Sequence, residues 1–330
     1  MTRKRILSGI QPSGTLHLGN YFGAIKQHIE LQEEGEGLYF IADYHAMTSI
    51  QDGKEINRLS FDVAADYLAL GLDPKKATLF RQTQVPQVTE LSWVLGCVTG
   101  KGLLDRATSY KDKVDRGLSA SVGLYTYPVL MAADILIYRS HVVPVGADQT
   151  QHLEMARDMA QKFNSTYKTD LFPIPEPRFN KFAKVPGTRK DPDGGFQKMS
   201  KSYGNAIEIF LEGKALKERV MGIQTDSTPV ADPKNPETCI VYQLYKLFAT
   251  DAEVREMGER YRKGGFGYGD AKKALLAKIE TSLAAMRGRR KQLAQDRDTV
   301  LGVLEEGAAK ARRLAGETME QVRRLSAYGA

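Results

Sequence analysis

The sequence predicts an α/β chain: a doubly wound parallel sheet wrapped in helices, followed by an all-helical second domain. Three observations carry this expectation. Short apolar runs alternate with helical patterns through the first part of the chain, the signature of strand–helix–strand units. Those strand-like runs disappear after Lys198-Met199-Ser200-Lys201-Ser202, where helical patterns take over. The 330 residues exceed the usual span of one compact core, so two domains or one large one are the priors, and the change of texture makes the expected division 1–205 and 206–330, with the last helix able to pack back onto the first.

Arg5-Ile6-Leu7-Ser8 reads as the first strand, running into a turn from Gly9 to Gly19 and then a helical stretch to Glu34. Leu38 to Ala42 reads as the second strand. Leu59, Val63, Tyr67 and Leu70 then mark one face of a helix that Gly71-Leu72-Asp73-Pro74 ends. Thr78 to Arg81 and Val142 to Val145 are further strands, the latter feeding a helix whose Leu153, Ala156, Ala160 and Phe163 share a face. In a doubly wound sheet, ligands bind beyond the carboxyl ends of the strands. Ser8 to Gly19, Asp43 to Thr48 and Gly146 to Gln149 are therefore expected to converge on one crevice. Leu171 to Gly195, rich in Pro, Gly and charge, reads as a mobile connection.

Hydrophobic residues at 42% and charged residues at 26% are those of a folded chain and argue against disorder. Cys97 and Cys239 stand far apart and form no C-x-x-C pair, so neither a disulfide framework nor a cysteine-built metal site is expected. No targeting segment opens the chain, and no apolar run approaches the roughly 20 residues that span a bilayer, so the expected location is the cytoplasm, with no membrane partner. A net charge of +7 is compatible with a polyanionic partner without demanding one.

Ser8-Gly9-Ile10-Gln11-Pro12-Ser13-Gly14-Thr15-Leu16-His17-Leu18-Gly19-Asn20 joins a strand to a helix. Its glycines would let backbone amides approach a phosphate or base, and the following helix start favours an anion. A lone H-x-G-N would more simply be a tightly packed turn with a surface histidine. Lys198-Met199-Ser200-Lys201-Ser202 follows a Gly-rich segment, where ammonium groups suit charge developing on phosphates; alone it would be a solvated basic loop. Tyr127-Pro128-Val129-Leu130-Met131-Ala132-Ala133-Asp134 places a carboxylate inside an apolar helix. Such a group is costly to bury unpaired, and on spacing alone a carboxylate facing solvent or contacting a neighbouring helix terminus is the favoured reading.

Taken together and in this order, Pro12 to Asn20 and Lys198 to Ser202 resemble the two signatures of class I aminoacyl-tRNA synthetases. Asn20 stands where the H-I-G-H signature has its second histidine, as in the tryptophan-activating branch. Tyr127 to Leu136 resembles that branch's amino-acid-binding segment. Val143-Pro144-Val145-Gly146-Ala147-Asp148-Gln149-Thr150-Gln151-His152 resembles V-P-V-G-E-D-Q-x-Q-H, with Ala147 in place of Glu, and Asp43-Tyr44-His45-Ala46 resembles D-Q-H-A. Tyr110-Lys111-Asp112-Lys113 resembles F-K-[DE]-K, making Lys113 either a phosphate contact or a solvated lysine.

The resemblance implies a Rossmann-type catalytic domain and a helical anticodon-binding domain. It implies activation of tryptophan by ATP with Mg2+, transfer to the 2'-hydroxyl of the terminal adenosine of tRNA(Trp), and a homodimer. His17, Asn20, Lys198 and Lys201 would be catalytic. ATP would be held by Gly9, Gln11, Pro12, Ser13, Gly19, Asn20, Gly146, Asp148, Val185, Met199, Ser200 and Ser202, with Ala147 contributing its backbone, together with the two lysines. Tryptophan would lie against Leu7, His45, Tyr127, Met131, Asp134, Val143, Val145 and Gln149, with Asp134 accepting from the indole N–H, which only donates. The tyrosine-activating sister is the nearest alternative, but its archaeal and eukaryotic members carry Tyr and Gln where Leu7 and Met131 stand here. A non-catalytic RNA-binding relative would tolerate loss of His17 or the lysine segment, and both are present. Arg287 to Lys291, Arg312-Arg313 and Arg323-Arg324 are candidates for tRNA phosphate contacts or, more plainly, solvated helix faces.

Overall fold

A computed structural model of the chain describes residues 3–107, 110, 121–146, 149–180 and 184–326. Lys113, Ala147 and Asp148, singled out above, lie outside the described residues, as do Lys111 and Asp112. The chain forms two compact units. One gathers Met1–Gly14, Gln27–Asn180 and Leu293–Ala330, and the other Thr15–Lys26 and Lys181–Gln292. The chain thus crosses between units elsewhere than at residue 205.

The first unit is built on five parallel strands, β1 (Arg5–Ile10), β2 (Glu36–Ile41), β3 (Ala77–Arg81), β4 (Val142–Val145) and β5 (Glu176–Phe179), in the order β3-β2-β1-β4-β5. The order reverses between β1 and β4, which makes their carboxyl ends the switch point of the sheet. Leu38, Tyr39 and Ile41 of β2 are fully buried, so side chains on both faces are covered, as an all-parallel sheet requires.

Helix Gly53–Leu70 begins at Asp52, whose carboxylate accepts from the Lys54 N–H, and ends at Gly71 with φ +117°, a conformation that favours glycine. Its buried face includes Leu59, Val63, Tyr67 and Leu70, and helix Thr150–Tyr167 buries Leu153, Ala156, Ala160 and Phe163. Each large apolar side chain so covered contributes about 1.5–3 kcal/mol, which fixes these helices.

Leu171 to Gly195, expected to be a connection, carries two strands instead, and a third follows it directly. β5 pairs in parallel with β4, and β6 (Pro186–Lys190) and β7 (Phe196–Lys198) form an antiparallel hairpin. Pro177 fits because β5 is an edge strand, where a missing N–H costs no ladder bond. The last helix, Arg297–Ser326, belongs to the sheet unit. Leu304, Ala308, Ala311, Ala315 and Met319 are buried, and Gly307 lies so close to β3 that a Cβ there would stand 1.9 Å from the Leu79 carbonyl oxygen.

The second unit holds the β6–β7 hairpin and helices Gly213–Met221, Ile240–Tyr245, Asp251–Lys263 and Tyr268–Gln295. Tyr242, Tyr261 and Phe266 are packed ring to ring in its core. Arg287, the first residue of the basic run in the longest of these helices, is buried and donates from Nε to the Ile209 carbonyl at 3.2 Å, so it packs rather than facing solvent.

Candidate active site

In the first unit, the chain leaves β2 into a single helical turn, Asp43–Ala46, and leaves β3 at Gln82. Asp43, fully buried, accepts from Arg81 Nε at 2.8 Å, from the Thr83 N–H at 2.9 Å and from the Thr83 hydroxyl at 2.6 Å. This clamp ties the ends of β2 and β3 together and holds the turn that carries His45. Asp134 projects from helix Val122–Ile137 and is buried, contrary to the solvent-facing alternative that its spacing alone allowed. Burial raises its pKa, while His45 and Gln82 oppose the shift by hydrogen bonding.

Gln82, which no motif marked, is the centre of this arrangement. Its amide nitrogen donates to Asp134 Oδ1 and Oδ2 at 2.8 and 2.9 Å, and its Oε1 accepts from the Tyr44 and His45 N–H groups at 3.0 and 3.4 Å. His45 Nε2 lies 2.9 Å from Asp134 Oδ2. A carboxylate offers about four acceptor positions. Three are engaged here. One position therefore remains for a further donor.

The other residues expected around an aromatic substrate divide among the same elements. Tyr127 lies edge-on to His45, ring centroids 6.1 Å apart, and hydrogen-bonds through its hydroxyl to His152 Nε2. Leu7, Val143 and Val145 are buried on β1 and β4, while Met131 and Gln149 are half-buried. Past β1, Gln11 and Ser13 are exposed and Pro12 is buried, with the Gln11 amide 3.4 Å from the His45 carbonyl. Gly9 has a packing reason of its own, since a Cβ would stand 2.4 Å from the Phe40 ring.

The second unit brings the two signature segments together. Met199 is buried, and its Cβ would stand 3.3 Å from a Cβ added at Gly19. Leu16, His17 and Leu18 run antiparallel to Ile207–Ile209, with Leu18 N–H donating to the Ile207 carbonyl and Ile209 N–H to Leu16. Asn20 reaches back to accept from the His17 N–H at 3.0 Å, ordering the helix start. The His17 ring is buried, with its pKa lowered to about 4 by burial first and then by the charges of Lys201 and Lys198. It is neutral at pH 7, which makes it a hydrogen-bonding group rather than a charge.

A second residue without a motif organises this half. Asn205, fully buried, accepts from the Ser200 N–H at 2.8 Å and donates to the Lys198 carbonyl at 3.1 Å and to Gln197 Oε1 at 2.9 Å. Met199 N–H donates to the carbonyl of buried Val185. The lysine segment is therefore pinned at both backbone edges.

The profile of the family described as tRNA synthetases class I (W and Y) matches residues 2–284. A tryptophan–tRNA ligase of Fusobacterium nucleatum is 50% identical over 323 residues, 98% of this chain and 97% of that one. A tryptophan–tRNA ligase of Rhodopirellula baltica is also 50% identical, over 97% of this chain and 98% of its own. Among solved structures, tryptophanyl-tRNA synthetase of Campylobacter jejuni, complexed with ADP and tryptophan, superposes with a TM-score of 0.88 at 46% identity, covering 97% of this chain and 98% of that one. With such identity along almost its full length, the chain belongs to the class I tRNA synthetases of tryptophan and tyrosine, and within them to the tryptophan–tRNA ligases.

Proposed function

We propose that Asp134 selects tryptophan through the indole N–H and that His17, Lys198 and Lys201 act on the phosphates of ATP. The observation that carries the first role is the buried carboxylate held by Gln82 and His45 with acceptor capacity left over. A site built around one hydrogen-bonded substrate N–H rejects analogues that lack it by about 10⁴ or more. Leu7, Tyr127, Met131, Val143, Val145 and Gln149 complete the amino-acid side, and Gly9, Gln11, Pro12, Ser13 and Gly146 the nucleotide side of the same unit.

In the activation step, the tryptophan carboxylate attacks the α-phosphorus, the bond from that phosphorus to the bridging oxygen breaks, and pyrophosphate leaves. The acyl group then passes to the 2'-hydroxyl of the terminal adenosine, releasing AMP. Negative charge grows on the departing phosphates, and Lys198 and Lys201 meet it with ammonium groups on a backbone that Asn205 fixes in advance. Neutral His17 supplies a hydrogen bond, Asn20 holds its backbone, and Gly19, Val185, Met199, Ser200 and Ser202 shape the surrounding segment. Mg2+ would arrive on the phosphates. Mg2+ typically keeps several of its waters and binds through one or two carboxylates and substrate phosphates.

The helical region from residue 206 is assigned to the anticodon arm of tRNA(Trp); of its basic run, Arg289 and Lys291 are exposed, and Lys291 is ion-paired with Glu212. Arg312 and Arg323 are paired with Glu305 and Glu90, which weakens any such role for them. A homodimer is proposed on the family resemblance alone. The cytoplasm is the compartment where ATP and tRNA meet, and no described helix is long and apolar enough to cross a membrane.

Pyrophosphate exchange into ATP, run with each amino acid separately, tests the reading. Exchange with tryptophan alone, reduced at least tenfold in kcat/KM by Asp134→Asn, is the expected result. Exchange with tyrosine, or an unaffected variant, would overturn the assignment of Asp134.

A further inference from the structure

The crevice at the carboxyl ends of the strands has a counterpart at their amino ends. A cavity of about 730 Å³ opens there in the first unit, a volume in the range of small-ligand sites. Arg5 opens β1, Lys75 and Lys76 precede β3, Arg139 and His141 precede β4, and Lys310 comes from the last helix. Arg3 adds a further cation, and the acids on the lining are Glu36 and Asp170.

Glu36 is already engaged, lying 3.2 Å from Arg5 Nε and 3.0 Å from Lys310 Nζ. Arg139 is differently placed. Its backbone is left-handed, with φ +50°, and its Nε is buried with no hydrogen-bond partner among the described residues. A guanidinium donor buried without an acceptor is costly, and burial together with the Arg5 charge lowers its pKa. Lys75 makes no side-chain ion pair or hydrogen bond among the described residues. Arg5 is held rigidly, donating from Nη1 to the Tyr138 carbonyl at 2.9 Å and from its backbone N–H to His141 Nδ1 at 3.3 Å. Lys76 is paired with Glu33 at 2.7 Å and the Glu317 charge also acts on Arg139, but cations from four separate segments line one concavity and outnumber these acids, with Lys75 left unpaired among the described residues.

We infer that this cavity binds a small polyphosphate, of the size of a pyrophosphate or the phosphate tail of a nucleotide, with Arg139 and Lys75 as its principal contacts. Guanidinium groups match phosphate oxygens in pairs, and an oxyanion would supply the acceptor that Arg139 Nε lacks. The volume exceeds one phosphate and suits two or three linked ones. The site lies at the opposite strand ends from the residues assigned to substrate binding in this unit, so it stands or falls separately from those roles.

Titration calorimetry of the full chain with inorganic tripolyphosphate, and separately with ADP, in low salt tests it. Wild type should show a class of sites whose affinity falls at least tenfold in Arg139→Asn and in Lys75→Gln, while pyrophosphate exchange with tryptophan is unchanged. Lys75→Gln alters an exposed loop residue and keeps the test meaningful if Arg139→Asn fails to fold. Tripolyphosphate binding that neither folded variant weakens would overturn the proposal. So would a short RNA oligonucleotide whose binding depends on these residues when that of tripolyphosphate and ADP does not.

Discussion

Replacing Gln82 with Leu keeps the volume of the side chain and removes all of its polarity. Two donor contacts to the Asp134 carboxylate vanish, and the Tyr44 and His45 N–H groups lose their shared acceptor. Hydrogen bonds to a charged group are worth about 1.5–3 kcal/mol, and the two arise from one amide, so they do not add in full. A loss of about 2–3 kcal/mol in the binding of an indole donor follows, which is roughly 30- to 150-fold in KM for tryptophan. KM for ATP should stay within about twofold. The pH dependence gives a second readout. Gln82 helps hold the pKa of Asp134 down against burial, so its removal lets that pKa rise further. Asp134 then takes up a proton at higher pH, and the acid limb of kcat/KM for tryptophan moves upward. Steady-state exchange assays across pH, on a variant whose circular dichroism matches wild type, measure both. A tryptophan KM within threefold of wild type and an unmoved acid limb would refute the role given to Gln82.

Asn205→Ala should lower the rate of adenylate formation about tenfold with little change in tryptophan affinity, because it frees the backbone that presents Lys198 and Lys201; single-turnover kinetics separate the two. Gly307→Ala must push the last helix or β3 apart by more than 1 Å, and the obstacle is backbone, so a cost of about 1–3 kcal/mol is expected in denaturant unfolding. His28 is buried against Tyr39 and Tyr67, hydrogen-bonded to the Tyr67 hydroxyl at 2.8 Å, with its pKa lowered by burial to about 3. The unfolded chain therefore takes up this proton first. The stability contribution is full above about pH 6.5 and is lost as pH falls towards 3, on the order of 5 kcal/mol in total. His28→Gln should flatten that part of the stability profile, measured as unfolding midpoints between pH 7 and 4; an unchanged slope would assign the loss to other groups.

Four of the five parallel strands were legible because buried parallel strands read as compact apolar runs between helical periods. β5, β6 and β7 were not. Glu176-Pro177-Arg178-Phe179 carries Pro and charge that an edge strand tolerates, and its pairing with β4 is a tertiary fact with no local pattern. Both signature segments were legible from glycine, lysine and histidine at fixed spacing. The residues that position them were not, since Gln82 and Asn205 are single amides whose importance comes entirely from burial and from what stands opposite them. Asp134 illustrates the same limit from the other side. Its place in an apolar helix suggested either exposure or a partner, and only the structure shows the partners. The last helix was legible as a helix. That it docks through Gly307 and small alanines onto β3 depends on a close approach that sequence periodicity does not encode.

That docking ties the order of synthesis to the order of folding. β3 is an edge strand, and an unprotected edge is a template for pairing with another chain. Its cover is made by residues 297–326, which leave the ribosome long after β1 to β5 have emerged. During that interval the nascent sheet carries an open flank and the apolar surface meant for the helix. Fragments that stop before residue 297 should accordingly aggregate or depend on chaperones, even though every residue assigned to tryptophan or ATP is already present in them.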